Sequence, residues 1–235
     1  NDWEVTNADG RDRGQLDLIE GTVVSSNTVY AGLAGDLDLD AAAATAARLG
    51  IETPMLPLFS LVLGAQELAV LDMATGYSVF ANDGELRAPI IVLGVTDALG
   101  LDDHFVTERI QALDPSISRS MTSVLQQVVE RGTGLLAAIP EVPVAGKTGT
   151  SQDNRDAWFV GYSPRFTTAV WLGYADDGRA MVDVLGLERV TGGSIPARLW
   201  NEIMSELHSD LEAGSFPGQR AHLAESDEND DVGEE

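Results

Sequence analysis

Apolar residues along the first half of the chain predict two helices. Alanines and aliphatic residues fill 37–51, which predicts a helix that ends at Gly50. The strongest helical pattern covers 63–84, and the Asn-Asp-Gly turn at its end predicts the stop.

Two further helices are predicted in the second half. The segment 113–134 carries Asp114 as its predicted N-cap, Pro115 in the first turn and Gly132 at the end. The segment 194–210 is amphipathic and starts at Ser194, a predicted N-cap.

Between these two helices the pattern changes to strands. Aromatic and β-branched residues fill 142–150, 157–164 and 167–175, separated by short polar segments, which predicts an antiparallel meander. The pattern of residues 86–100 predicts a strand, a short turn and the continuation of that strand. A helical cluster followed by a sheet and a final helix predicts the α+β class.

Composition and charge exclude several classes of function. The absence of cysteine excludes disulfide scaffolds and thiol catalysis, and the net charge of −24 argues against a nucleic-acid partner. No apolar run reaches the length of a membrane-spanning helix. The C-terminal residues 224–235 carry seven acids and no base, which predicts a disordered, solvated tail.

The residues predict neither a metal site nor a cofactor. His104, His208 and His222 are scattered and have no partner one helical turn away. The acidic segment 36–41 fails as a calcium loop, because Ala41 stands where that loop requires glycine.

Lys147 is the only lysine in a chain with thirteen arginines, and three interpretations compete for it. It is a solvated lysine at a strand end, part of a phosphate-binding loop, or the lysine of an active-site Lys-Thr-Gly strand. The phosphate loop fails, because Glu141 occupies the position of its first glycine and a strand follows instead of a helix. On an active-site strand, the ammonium group would hold a substrate carboxylate, while the glycine lets the backbone approach an acyl group.

The neighbouring residues favour the third interpretation. The segment "AGKTGTSQDNRDAWFVGYSP" resembles the transpeptidase domain of class A, bifunctional penicillin-binding proteins, in which K-T-G-T precedes D-A-W-F-x-G-Y-x-P. Four other segments are similar to the same family, in the same order along the chain: "GTVVSSNTVYAGLA", "LGAQELAVLDMATGYSVFANDG", "VVERGTG" and "GGSIPARLWNEIM". The resemblance runs from about Gly21 to Leu207 and implies the penicillin-binding/serine β-lactamase-like fold, an antiparallel sheet packed with helices.

The resemblance implies acyl transfer from the D-Ala-D-Ala end of a peptidoglycan stem peptide, with β-lactams as inhibitors. A serine attacks, D-alanine leaves, and the amine of a neighbouring peptide resolves the acyl-enzyme. Ser25, from the family's S-x-N motif, would pass a proton to the leaving amine. Lys147 would hold Ser25 and the substrate carboxylate in register by its charge.

The remaining motif residues are expected to bind substrate. Asn27 would hydrogen-bond the peptide, and the hydroxyl groups of Thr148 and Thr150 would contact its carboxylate. Gly149 leaves room for the acyl group, and the Thr150 amide would be one oxyanion donor.

One motif of the family is missing from the 235 residues. S-x-x-K requires a second lysine, and Val144 precedes Lys147 by three positions, so the nucleophilic serine and its lysine are absent. We therefore expect an irregular segment over 1–20 that continues from a missing upstream part, a partial transpeptidase domain over 21–208, and the acidic tail over 209–235. A fragment of this kind should be unable to acylate by itself.

The resemblance also implies an upstream glycosyltransferase domain and a membrane anchor, at the extracytoplasmic face of the bacterial cytoplasmic membrane. Two alternatives remain open. A serine β-lactamase or carboxypeptidase is disfavoured by "DAWFVGYSP". A catalytically inactive scaffold or sensor would bind muropeptide without a covalent bond, and an upstream S-x-x-K would argue against it.

Overall fold

The structure is a computed structural model in which residues 4–219 are described. Its helical elements are numbered in chain order, and three short 3₁₀ turns lie between them. They are α1 Leu18–Val23, α2 Asn27–Leu33, α3 Leu39–Arg48, the 3₁₀ turn Phe59–Leu63, α4 Val70–Ala81, α5 Pro115–Arg131, the 3₁₀ turns Leu135–Ala137 and Gln152–Asn154, and α6 Ile195–His208. Within residues 4–219, no helix combines the length and the apolar character needed to cross a bilayer.

The strands form one central sheet and three short two-stranded ribbons. They are β1 Glu85–Arg87, β2 Gly94–Thr96, β3 Asp102–His104, β4 Arg109–Gln111, β5 Ala145–Thr150, β6 Asp156–Tyr162, β7 Thr167–Gly173, β8 Val182–Val184 and β9 Leu187–Arg189. The central sheet has the order β5-β6-β7 and is antiparallel throughout, so the predicted meander is confirmed. Helices packed on an antiparallel sheet confirm the α+β class.

Helices cover both faces of the central sheet. On one face, Phe159 of β6 and Trp200 of α6 are fully buried and pack edge to face, with ring centroids 5.2 Å apart. On the other face, Tyr162 packs with Leu125 and Val128 of α5. Since side chains alternate along a strand, neighbouring residues of β5 face opposite sides of the sheet. This alternation separates the side chain of Lys147 from those of the threonines that follow it.

Helix α5 has the boundaries that the sequence predicts. The side chain of Asp114 accepts from the Ser116 backbone N–H, Pro115 is the first helical residue, and Gly132 follows the last. Ser194 precedes α6 as predicted but gives no side-chain cap. Its hydroxyl bonds the backbone of Thr191 instead.

The helix predicted over 63–84 is shorter than its pattern. Gly64 has φ 69°, a left-handed conformation that ends the preceding 3₁₀ turn, and α4 begins only at Val70. Gln66 explains part of this difference, because its amide accepts from Leu56 N–H and donates to Leu56 O, both at 2.7 Å. Two hydrogen bonds to a distant backbone hold this segment as a loop.

The prediction that one strand resumes after a short turn within 86–100 is wrong. β1 pairs with β4, and β2 pairs with β3, so the segment belongs to two separate ribbons. Pro89 lies between them and has no backbone N–H to donate, which interrupts the pairing.

The domain continues beyond the end of α6. Phe216 is 1% exposed and meets Tyr162 edge to face at 5.4 Å. Residues 209–219, which the sequence assigns to the tail, therefore include part of the core. The acidic segment 224–235 lies outside the described residues.

Candidate active site

Ser25 is presented by the C-terminus of α1. The Ser26 N–H donates to Gly21 O at 2.8 Å and the Ser25 N–H donates to Thr22 O at 3.2 Å, the two hydrogen bonds of a Schellman motif. Ser25 occupies the left-handed position of this motif, at φ 54°, where glycine is usual. A non-glycine residue in such a conformation is strained, and strain of this kind is concentrated at functional sites.

Lys147 lies in the middle of β5. Its Nζ donates to Ser25 Oγ at 2.7 Å and to Thr148 O at 3.0 Å. The first hydrogen bond joins residues 122 positions apart in the sequence. The structure therefore brings together the two residues that the sequence predicts to be catalytic.

Burial changes the chemistry of the Lys147 amine. The surrounding protein removes water from the ammonium group and lowers the pKa of Lys147 from 10.5 to about 8. At neutral pH the group remains mostly charged, and it donates its hydrogen bonds as an ammonium. It nevertheless gives up a proton more readily than an ordinary lysine.

The hydroxyl groups of Thr148 and Thr150 lie on the opposite face of β5 from Lys147. Thr148 Oγ1 is 2.6 Å from Thr133 Oγ1, and Thr150 Oγ1 accepts from Gly192 N–H at 3.0 Å. A hydroxyl that accepts one hydrogen bond still has its own proton to donate. Thr150, which is exposed, can therefore donate to an anion at the surface.

The backbone N–H of Thr150 is a further hydrogen-bond donor at this site, beside the Thr150 hydroxyl. Because the Ser151 N–H donates to Asp156 O on β6, alternation turns the Thr150 N–H away from β6, towards the free edge of β5. Gly149 lies opposite Trp158, and a Cβ built on it would lie 3.2 Å from Trp158 Cβ. A side chain at this position would thus crowd the Cβ atom of Trp158.

Asn27 is placed differently from the other predicted residues. Its Nδ2 donates to Thr6 O at 3.0 Å, so part of the amide is engaged by the N-terminal segment. The neighbouring Asn7, which is 6% exposed, accepts from Ser26 Oγ at 3.1 Å and from Thr28 N–H at 3.4 Å. Residues 6 and 7 therefore hold the loop that carries the S-x-N motif.

Sequence reasoning missed three residues that support this site. Asn7 lies in a segment without periodicity, and nothing in its sequence context distinguishes it. Thr133 follows Gly132 at the predicted helix stop, and the family resemblance places this segment near the rim of the site, but the sequence does not indicate its 2.6 Å contact with Thr148. Gly192 packs against the β5–β6 backbone, since a Cβ built on it would lie 2.3 Å from Trp158 O. The paired glycines at 192 and 193 were the available signal for that close approach.

The arrangement supports proton transfer beside an anion-binding edge. Among residues 4–219, no group of three or more His, Cys, Asp or Glu side chains could hold a metal ion. The polar groups that converge on β5 are instead an ammonium, hydroxyls and backbone N–H groups. Such a set can hold a carboxylate, donate to an oxyanion and move a proton through Ser25.

Comparison with known proteins identifies the family. The model of the penicillin-binding protein transpeptidase domain matches residues 1–205. Penicillin-binding protein 1A of Neisseria flavescens is 34% identical over 208 residues, which cover 85% of this chain and 25% of that protein. Penicillin-binding protein 1A of Aquifex aeolicus is 34% identical over 175 residues, covering 74% of this chain and 24% of that protein.

A solved structure has the same fold. PonA1 of Mycobacterium tuberculosis, determined in complex with penicillin V, superimposes with a TM-score of 0.80 at 27% identity, covering 91% of this chain and 62% of that one. The chain spans about a quarter of the length of its Neisseria and Aquifex relatives. The predicted penicillin-binding fold is thus confirmed, and the chain belongs to the penicillin-binding protein transpeptidase domain family, in the class A group that includes penicillin-binding protein 1A.

Proposed function

We propose that this chain is part of a D,D-transpeptidase that cross-links peptidoglycan stem peptides through a serine acyl-enzyme. The observation that carries the proposal is the 2.7 Å hydrogen bond from Lys147 Nζ to Ser25 Oγ. It joins the S-x-N loop to the K-T-G strand, so the two motifs form one site in the folded chain. Membership of the family supports the same reaction class.

The nucleophilic serine and its lysine would come from a part of the protein outside these 235 residues. The serine oxygen would attack the carbonyl carbon of the D-Ala-D-Ala bond, and the upstream lysine would accept the serine proton. As the C–N bond breaks, Ser25 would donate its hydroxyl proton to the leaving amine. Lys147 would then return a proton to Ser25, which its lowered pKa makes easier. In the second half of the reaction the acceptor amine would attack the acyl carbon and give its proton through Ser25 back to Lys147, while the upstream lysine returns the proton of the released serine.

The other groups of β5 would bind the charges of the substrate. The Thr148 and Thr150 hydroxyls would hydrogen-bond the terminal carboxylate at the edge of β5, and the Lys147 ammonium would attract it by charge from the other face of the strand. The Thr150 N–H would donate to the oxyanion that forms on the attacked carbonyl. Asn27 would reach the peptide with the part of its amide that Thr6 leaves free.

A β-lactam would enter the same site as a stem-peptide mimic, and the complex of PonA1 with penicillin V supports this expectation. In the whole protein we expect an upstream glycosyltransferase domain and a membrane anchor. The site would then lie at the extracytoplasmic face of the bacterial cytoplasmic membrane, where peptidoglycan is assembled.

Fluorescent penicillin labelling tests the proposal. This chain is compared with a longer form of the protein that includes the upstream segment, and both are examined by intact mass and peptide mapping. We expect one adduct on the longer form only, at a serine followed three residues later by lysine.

Absence of an adduct on both proteins, while both fold, would overturn the proposal. Saturable binding of a muropeptide without an adduct would then identify the chain as part of an inactive scaffold or sensor. Labelling of the short chain would show that the nucleophile lies within the 235 residues.

A further inference from the structure

The end of α5 is held against two other segments of the site. Gly132 and Gly134 N–H groups both donate to Val128 O, at 3.2 and 2.9 Å. Gly132 touches the backbone of α1, since a Cβ built on it would lie 2.4 Å from Val23 O. Gly134 lies against Phe159, whose ring would be 3.2 Å from such a Cβ. The two glycines therefore fix the residue between them.

Thr133 contacts three segments from this fixed position. Its N–H donates to Val23 O at 3.2 Å, two residues before Ser25. Its hydroxyl lies 2.6 Å from that of Thr148, the residue that follows Lys147. Its carbonyl oxygen packs on Gly193, where an added Cβ would lie 2.5 Å away.

We infer that Thr133 is a positioning residue of the transpeptidase site, which sets the direction of the Thr148 hydroxyl. The backbone of Thr133 ties the loop of Ser25 to the end of α5, and its side chain ties β5 to the same point. This inference rests on the proposed function, because Thr148 acts on substrate only if β5 binds the substrate carboxylate.

The Thr133 hydroxyl limits the directions in which the Thr148 hydroxyl can donate its proton. Thr148 is 8% exposed, so few positions of its hydroxyl proton are available to a partner at the surface. When Thr133 donates to Thr148, the Thr148 proton is directed to another acceptor, such as a carboxylate. Without Thr133, that hydroxyl loses its donor and can turn away from the substrate.

A helix-stop role for Thr133 makes a different prediction. The stop depends on backbone hydrogen bonds of the two neighbouring glycines, and valine has the same shape as threonine. A stop would therefore tolerate T133V without loss of function, whereas a positioning residue would not. T133S keeps the hydroxyl and should retain function in both cases.

The experiment measures penicillin acylation in the longer form of the protein by stopped-flow fluorescence, which separates the apparent dissociation constant from the acylation rate constant. We expect T133V to raise the dissociation constant about tenfold, the effect of about one lost hydrogen bond. The acylation rate constant of T133V should stay within about twofold of that of the unmodified protein, and its pH profile should be unchanged, because Lys147 is not altered. T133S should lie within about threefold of the unmodified protein. The control T45V, on helix α3, which has no fully buried residue, should not differ from it.

A double-mutant cycle provides the sharper readout. If the two hydroxyls act as a pair, T133V combined with T148V should bind penicillin no more weakly than T148V alone. Additive losses would overturn the inference, as would acylation by T133V at the normal affinity. T133A is measured in parallel, and failure of both T133V and T133A to fold would also overturn it, since the hydroxyl would then be needed for folding. If the unmodified longer protein is not labelled, the proposed function has failed, whatever Thr133 does.

Discussion

Replacing Ser25 by glycine and by alanine separates the backbone strain at this residue from the chemistry of its hydroxyl. Both substitutions remove the hydrogen bond to Lys147, and a bond to a charged group contributes about 1.5–3 kcal/mol. Only glycine relieves the left-handed conformation at φ 54°, which costs a residue with a side chain roughly 1–2 kcal/mol. Glycine loses more backbone entropy on folding than alanine, which offsets about 0.5–1 kcal/mol of this gain. We therefore expect S25G to be more stable than S25A by about 1 kcal/mol, although neither supports acylation in the longer protein.

Urea unfolding of the 235-residue chain measures this difference. With an m-value of about 2.5 kcal/mol/M, the expected shift between the two midpoints is about 0.4 M. Ser120 is the matched control, since it is exposed within α5 at a helical conformation. There the order should be reversed, with glycine about 1 kcal/mol less stable than alanine. Equal midpoints for S25G and S25A, with the normal order at Ser120, would refute the assignment of strain to Ser25.

Three further predictions concern the amine, the sheet surface and the end of the domain. Because burial lowers the pKa of Lys147 to about 8, the native chain loses this proton before the unfolded chain does, and stability should rise between about pH 8 and 10. K147M should lack that rise when its free energy of unfolding is measured with denaturant. If stability rose with pH in K147M as steeply as in the unmodified chain, the lowered pKa would be contradicted. G192A should lower the free energy of unfolding by at least about 2 kcal/mol in the same assay, because its Cβ would overlap the backbone of β6. The control G32A, whose Cβ would have nothing within 4 Å, should be neutral or stabilising. F216A should lower the free energy of unfolding by about 3 kcal/mol, and the exposed control F105A by less than about 1 kcal/mol. Equal effects of the two substitutions would show that residues 209–219 are not part of the core.

The sequence predicts elements best where local chemistry decides them. The boundaries of α5 follow from Asp114, Pro115 and Gly132, three residues whose preferences concern the backbone next to them. The meander β5–β6–β7 follows from strand propensity and short polar connections. The start of α4 did not follow, because Gln66 is held by hydrogen bonds to a residue ten positions away. No local pattern carries that information.

The candidate site shows the same division. The residues Ser25 and Lys147 could be named from motifs, but their 2.7 Å contact depends on how α1, α5 and β5 pack. The support from Asn7 comes from a segment without periodicity, and Thr133 lies at a predicted helix stop that only the family resemblance places near the site. A local reading also gives no sign that Ser25 has a positive φ, since serine is a common residue in ordinary turns.

The single lysine of the chain lies inside β5, which has a consequence for proteolysis. A protease that cuts only after lysine can hydrolyse one peptide bond, Lys147–Thr148, and yields the fragments 1–147 and 148–235. Cleavage requires an extended, accessible segment, so β5 must first separate from β6 and from the helix packed on it. When opening is fast relative to cutting, the cleavage rate reports the free energy of that opening. A gel with one intact band and two fragments would thus measure the local stability of the Lys-Thr-Gly strand without any label.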